Sequence, residues 1–347
     1  MLSNDLNVRV EGRAGRITLT RPKALNAMTY DMCMAIDTIL RLWREEEHVA
    51  LVVIDAEGDK AFCAGGDIAE LYATGTKGDF SYGRTFWRDE YRMNAMLADY
   101  PKPVVSLMQG FTMGGGVGIG CHGSHRVVDD SSRIAMPECG IGLVPDVGGS
   151  LLLARAPGNL GAYLGTTAAR MDAGDAIHAG FADHYVPRER WSEFVELLEA
   201  SGDISHLLRL AETPPRGALS PHRDAIDRLF ATPSLHGVLE RLRADDSDFA
   251  EDTLRVMARN SPLSMACAIE TIHRLQAGET TIRDALDLEY RFTSRAMEHG
   301  DFLEGIRAAI IDKDRNPRWQ YADMDVPADA VARMLAPLGT DTLNFDD

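Results

Sequence analysis

Apolar and polar positions alternate in two short runs near the start of the chain, Val8-Arg9-Val10-Glu11 and Arg16-Ile17-Thr18-Leu19-Thr20. That period-two pattern on either side of Gly12 and Gly15 predicts two strands about a glycine turn, and Pro22 ends the second. Met32, Ala35, Ile36, Ile39, Leu40 and Trp43 recur at helical spacing. They predict a helix over about 30–47, with Thr29 as its N-cap. The apolar run from Ala50 to Asp55 predicts a buried strand. The same order then repeats: a strand at about 103–108, glycines and a short helix at 115–121, a strand over Arg126–Val128, and Ile134-Ala135-Met136 before a segment containing Glu138. Strand–strand–helix units of irregular length predict an α/β fold wound as a spiral of repeated turns, not one doubly wound sheet.

From about residue 160 the composition turns helical. Helices are expected over Leu160–Leu164, Ala173–Ala179, Arg190–Ala200 and Ala250–Ala258, with amphipathic helices at 262–278 and 282–299. Thr213-Pro214-Pro215-Arg216-Gly217 breaks the pattern and is a candidate linker. The acidic tail after Pro337 reads as loose. The expected organisation is a spiral core with the site over 1–200 and a mostly helical region over 201–347, of which 201–250 looks like an insertion.

With 347 residues, 45% of them hydrophobic, the chain can bury a core without disulfide or metal staples. A net charge of −17 repels nucleic acid and anionic membranes, so neither is an expected partner. A small anionic ligand stays open, because backbone N–H groups bind phosphate and carboxylate locally. Five scattered cysteines suggest a reducing compartment. Met1 to Asn7 shows no basic region before an apolar run, and no apolar stretch approaches the roughly 20 residues that span a bilayer. A cytoplasmic location is expected.

The candidate chemistry lies in two stretches. Gln109-Gly110-Phe111-Thr112-Met113-Gly114-Gly115-Gly116-Val117-Gly118 places glycines at the start of a short helix, where bare N–H groups face a developing negative charge. Met136-Pro137-Glu138 through Pro145-Asp146-Val147-Gly148-Gly149 carries two carboxylates among apolar residues and glycines. Desolvation there raises carboxylate basicity, as a general base or nucleophile near neutral pH requires. Equally, Glu138 could cap the turn after Pro137, and Asp146 the turn before Gly148-Gly149. A third stretch, Lys60-Ala61-Phe62-Cys63-Ala64-Gly65-Gly66-Asp67-Ile68, is a small-residue turn after a strand. Its N–H groups could donate to a carbonyl, or it could be a tight turn capped by Asp67.

Other signals point nowhere. Gly118-Ile119-Gly120-Cys121-His122-Gly123 matches a dinucleotide fingerprint, but no long helix follows it. His122 and His125 lack a third ligand at metal spacing. No G-x-S-x-G occurs. Arg44-Glu45-Glu46-Glu47 reads as a solvated helix end. Phe86-Trp87-Arg88-Asp89-Glu90-Tyr91 reads as an amphipathic helix or as one wall of an acyl pocket.

Arg21-Pro22-Lys23-Ala24-Leu25-Asn26-Ala27, Ala64-Gly65-Gly66-Asp67 and the triple glycine resemble the crotonase (enoyl-CoA hydratase/isomerase) superfamily. Phe62 to Ile68, Thr112 to Gly118, Met136 to Gly149 and the downstream Asp301-Phe302-Leu303-Glu304-Gly305-Ile306-Arg307-Ala308-Ala309-Ile310-Ile311-Asp312-Lys313-Asp314 are more similar to its 3-hydroxyisobutyryl-CoA hydrolase branch. The resemblance spans roughly residues 8 to 320. It implies a spiral of β-β-α turns with a helical C-terminal region. It further implies a thioester oxygen held by the N–H groups of Gly66 and Gly115, and adenine recognition by the main chain around Ala64, Asp67 and Ile68. Glu138 would be the catalytic glutamate, Asp146 its partner, and Glu90 a residue lining the acyl pocket. The implied substrate is a short 3-hydroxyacyl-CoA of valine breakdown, with coenzyme A entering as part of the substrate and no metal or redox cofactor; relatives of this kind often form homo-oligomers.

Hydratases of the superfamily resemble one another in carrying two glutamates, the first three residues after the middle glycine of the run. Here that position is Gly118, which cannot transfer a proton, and Asp146 stands where hydratases usually carry glycine. Hydrolysis is therefore expected, with enoyl-CoA hydration or isomerisation as the alternative and non-catalytic acyl-CoA binding as a third reading.

Overall fold

The computed structural model describes residues 3–345. Met1 and Leu2, the first residues of the Met1–Asn7 segment in which no signal peptide is expected, and Asp346 and Asp347, the end of the tail, lie outside the described residues. The strands are β1 (Leu6–Glu11), β2 (Ala14–Leu19), β3 (Leu51–Ala56), β4 (Ala61–Cys63), β5 (Val104–Leu107), β6 (Phe111–Met113), β7 (His125–Val128), β8 (Arg133–Ala135) and β9 (His184–Tyr185). They form a six-stranded sheet, β1-β2-β3-β5-β7-β9, and a three-stranded sheet, β4-β6-β8. Among the paired strands of the described residues, only β1–β2 is antiparallel. After the opening hairpin, successive strands fall alternately into the two sheets, so each turn adds one strand to each. That is the expected spiral.

The first helices are α1 (Tyr30–Glu45), α2 (Ala69–Gly75), α3 (Ser81–Ala98) and α4 (Gly115–Gly120). Then come α5 (Gly149–Arg155), α6 (Leu160–Thr167), α7 (Ala173–His178), α8 (Trp191–Ser201), α9 (His206–Leu210), α10 (Arg223–Leu229), α11 (Leu235–Arg243) and α12 (Asp248–Met257). The last are α13 (Pro262–Gln276), α14 (Ile282–His299), α15 (Phe302–Ile306) and α16 (Ala328–Met334). Thr29 caps α1 as expected, its side chain accepting from Met32 N at 3.2 Å. Segment 201–250, insertion-like in the sequence, carries α9 to α11 and the start of α12.

The chain groups into two compact units interleaved in sequence. One holds the N-terminal segment through Asp67, Arg92–Ala135 and Arg170–Ser220; the other holds Ile68–Tyr91, Met136–Ala169 and the chain from Pro221 on. These units do not follow the expected boundary at residue 200. Ile68–Tyr91 and Met136–Ala169 group with the C-terminal helices because α5 and α6 pack on α13, and α2 on α15.

In the first unit, Ala14, Leu51, Val53, Val105, Leu107 and Val127 of the large sheet pack against Trp191, Phe194 and Leu198 of α8 and Leu207 and Leu210 of α9. The linker expected at 213–217 is irregular but tied down: the next residues, Ala218 and Leu219, donate their N–H groups to Asp172 and Asp175 at 3.0 Å. The tail after Pro337 is less loose than expected, since Leu343 is buried and Gly339–Asp341 forms a 3-10 turn.

Candidate active site

β4 and β6 are parallel neighbours, so the segments after them, Ala64–Gly66 and Gly114–Gly115, leave the same edge of the small sheet. Gly65 O accepts from Met28 N at 2.9 Å, and Asp67 N donates to Met28 O at 2.8 Å. This parallel bridge turns the intervening Gly66 N–H away from Met28. Among the described residues that N–H has no acceptor, and the space where a Gly66 side chain would begin is open. Gly115 and Gly116 open α4, where the first N–H groups lack intrahelical partners, and among the described residues neither has another acceptor.

Two glycines of this run are structurally required. Gly114 adopts φ 49° and ψ −122°, a conformation open to glycine alone. A Cβ on Gly116 would lie 2.1 Å from Cys63 O, so the start of α4 is pressed onto the end of β4. The close packing and the bare amides are thus two consequences of one glycine run. The dinucleotide reading also ends here, because α4 stops at Gly120.

Around these amides the Arg21–Ala27 motif is folded about Asn26. Its buried amide donates to Glu57 O at 3.0 Å and Ala61 O at 2.9 Å, and its Oδ1 accepts from Arg21 N at 2.9 Å. Ala64 N donates to Leu25 O at 3.0 Å, which leaves only the Ala64 carbonyl for a ligand. Asp67 does not cap its own turn: its carboxylate pairs with Arg21 Nη2 at 3.2 Å. Ile68 begins α2 as its N-cap, without a side-chain cap.

The second unit holds the carboxylates. Glu138 lies three residues beyond the end of β8 and starts a 3-10 turn, Glu138–Ile141. The capping alternative fails, because Pro137 holds the N-cap place and makes no side-chain cap bond. Glu138 is 4% exposed, and its buried Oε2 has no hydrogen-bond partner. Burial, and then the charge of Asp146, push its carboxyl well above the usual range. Asp146 is no turn cap either: Gly149 N donates to its backbone O at 2.7 Å, while Tyr91 Oη donates to its carboxylate Oδ2 at 2.8 Å. Burial pushes Asp146 up to about 7, against the lowering effect of the Tyr91 bond. Glu90, on α3, is buried too, and burial and the Asp146 charge hold it well above the usual range. The structure thus brings Glu90, Glu138 and Asp146 into one unit, and Gly66 and Gly115 into the other.

Two further neighbours of Asp146 were not singled out: the sequence placed Tyr91 only in a candidate pocket wall and Glu289 only in an amphipathic helix. Tyr91 is fully buried, and Thr293 Oγ1 of α14 lies 3.4 Å from its phenol oxygen. Glu289, also on α14, is fully buried and accepts from Gly148 N at 2.8 Å, from Ser150 N at 3.1 Å and from Ser150 Oγ. Both left a trace in the sequence. Glu289 stands in the apolar stripe Ile282, Ala285, Leu286, Thr293, Ala296, and Glu90 and Tyr91 stand in the stripe Phe86, Trp87, Asn94. An acid on the buried stripe of an amphipathic helix marks an internal acceptor or a reactive group. Between Asp146 and Gly148 the backbone is strained: Val147 is a β-branched residue at φ 54°, a conformation that costs on the order of 1–3 kcal/mol.

An enoyl-CoA hydratase/isomerase family profile matches residues 14–335. The chain is 40% identical to the 3-hydroxyisobutyryl-CoA hydrolase, mitochondrial, of Xenopus tropicalis, over 96% of this chain and 89% of that protein. Identity to the protein of the same name from Homo sapiens is 36%, with the same shares covered. Among solved structures, an enoyl-CoA hydratase from Rhodobacter sphaeroides 2.4.1 superposes with a TM-score of 0.95 at 55% identity, covering 99% of this chain and 100% of that one. A carnitinyl-CoA dehydratase from Mycobacterium thermoresistibile superposes with a TM-score of 0.93 at 38% identity, covering 99% of each chain. No helix of the described residues is long and apolar enough to cross a membrane.

Proposed function

As the chain belongs to the enoyl-CoA hydratase/isomerase family, we propose that it is an acyl-CoA thioester hydrolase acting on a short 3-hydroxyacyl-CoA, 3-hydroxyisobutyryl-CoA first among them. The observation that carries this reading is Glu138. It is a buried carboxylate with one oxygen unpartnered, while Asp146 and Glu289 are both hydrogen-bonded. An unpartnered acid in a dry setting costs stability and is retained where it reacts.

In the proposed reaction the Gly66 and Gly115 N–H groups donate to the thioester oxygen and to the oxyanion that follows. Each such donor is worth roughly 2.7–4 kcal/mol of barrier. Glu138 either attacks the carbonyl carbon, forming a mixed anhydride that water then opens, or takes a proton from the attacking water. In both routes the C–S bond breaks, coenzyme A leaves as the thiol and the acyl group as the free acid. Asp146 orients the substrate hydroxyl or the water, Glu90 reads the 3-hydroxyl, and the main chain at Ala64, Asp67 and Ile68 receives the adenine. The protein holds the substrate by its coenzyme A portion and needs no separate cofactor. A cytoplasmic setting fits five buried cysteines, although the vertebrate relatives carry "mitochondrial" in their names.

One observation favours a second reading: the structure at 55% identity bears the name enoyl-CoA hydratase. Against it stands Gly118, buried in α4 without a side chain where a hydratase needs its first glutamate. Incubation of the pure protein with 3-hydroxyisobutyryl-CoA and with crotonyl-CoA separates the two. Free thiol from the first alone supports hydrolysis; loss of enoyl absorbance from the second overturns it.

A further inference from the structure

The loop from Asp146 to Ser150 contains two consecutive left-handed residues, Val147 at φ 54° and Gly148 at φ 78°. Such a backbone persists only where its surroundings over-determine it. Here Glu289 reaches in from α14, and its two carboxylate oxygens accept the N–H groups of Gly148 and Ser150, one on each side of Gly149. The Ser150 hydroxyl bonds to the same carboxyl. One helical turn further along α14, Thr293 lies beside the phenol that donates to Asp146. A single helix therefore reaches both the turn that follows Asp146 and the phenol bonded to its side chain.

We propose that Glu289 is a positioning residue of the reaction: by gripping the Gly148 and Ser150 amides it holds the strained turn that aims Asp146. The inference rests on the hydrolase reading above. Nothing in that reading uses Glu289, yet it is a fully buried acid with no cationic partner among the described residues. The ionisable groups that act with it are Asp146 from the loop, Glu138 from the 3-10 turn before it and Tyr91 from α3. Burial pushes Glu289 up to about 8, against the lowering effect of the Ser150 and Gly148 donors, and the Asp146 charge adds to the rise. From α5 it meets only the neutral Ser150, and α13, α15 and α16, which also pack on α14, supply none of its strongest interactions.

Glu289→Gln keeps the shape but offers one acceptor oxygen, so one of the two backbone N–H groups then faces an NH2. Two measurements test the proposal in the full-length protein. Amide hydrogen exchange across residues 146–152 should speed up by about tenfold in the variant, with the strands of the large sheet unchanged. Turnover of 3-hydroxyisobutyryl-CoA should lose roughly 10²-fold in kcat, as for a displaced reacting group, with KM held within about threefold. Exchange that matches the wild type, or a KM that rises in step with the loss of kcat, overturns the proposal. If the wild type itself releases no thiol from any short acyl-CoA, the hydrolase reading falls, and the exchange arm alone still decides whether Glu289 holds the turn. Should Glu289→Gln fail to fold, Ser150→Ala removes only the hydroxyl contact. Faster exchange and a several-fold lower kcat support the proposal there, and wild-type values for both overturn it.

Discussion

The two units solve opposite electrostatic problems. In the first, the proposed chemistry rests on uncharged main chain: Gly66 and Gly115 offer N–H groups that have no acceptor among the described residues. In the second, Glu90, Glu138, Asp146 and Glu289 are all buried, and no cation is among the groups that shift them most. These amides are oriented by main-chain geometry alone, the Met28–Gly66 bridge and the opening turn of α4. Buried acids are costly unless helices far apart in the chain supply donors. The difference teaches that one half of the proposed machinery asks only for main-chain geometry, and the other for donors packed around buried acids.

The largest expected effect tests the acidic half. Glu138→Gln should lower thiol release by at least about 10³-fold while substrate still binds, as for loss of a base or nucleophile. Calorimetric binding beside a steady-state assay checks both parts, and activity near wild type would remove Glu138 from the mechanism. In the amide half, two alanines should behave differently. Gly116→Ala drives a methyl against Cys63 O and should destabilise the fold by about 1–3 kcal/mol in urea unfolding. Gly66→Ala enters open space and should leave stability within about 0.5 kcal/mol, so a fall in kcat/KM of about tenfold would report on substrate space alone.

Proton linkage sharpens the contrast further. Asp146 is raised from 3.8 to about 7, so its neutral form favours folding. That contribution is complete below pH 4 and is lost as the pH climbs through 7. Asp146→Asn should therefore gain stability over the wild type as the pH rises from 4 to 8, by up to about 4 kcal/mol, measured by denaturant melts across that window. The smallest effect concerns Tyr91. Its hydrogen bond lowers Asp146, so Tyr91→Phe should move the acid limb of the kcat profile upward by about one pH unit. A downward shift would contradict the assigned bond.

Much of the fold was legible because it rests on local pattern. The alternation in β1 and β2, the stripe of α1 and the glycines around β4 and β6 each declare themselves within a few residues. The units were not legible, because grouping Met136–Ala169 with α13 depends on contacts more than 100 residues apart in the chain. Within the candidate site, Glu138 and Asp146 stood out against apolar neighbours. Tyr91 and Glu289 did not, since each looks like one position of an amphipathic helix until its partner is known. Glu289 is fixed to Gly148 across 141 positions, and spacing along a chain carries no information about such a pair.

Val147 is at once left-handed and 1% exposed, so its backbone discomfort is offset by the burial of its side chain. Directed evolution at this codon has little room. Glycine would relax the peptide and leave a hole where the two methyls sat; asparagine would tolerate the dihedral and bring an amide into oil. A saturation library scored for heat resistance should return the parental residue, which makes the bend before Gly148 an inherited constraint that selection for robustness cannot easily remove.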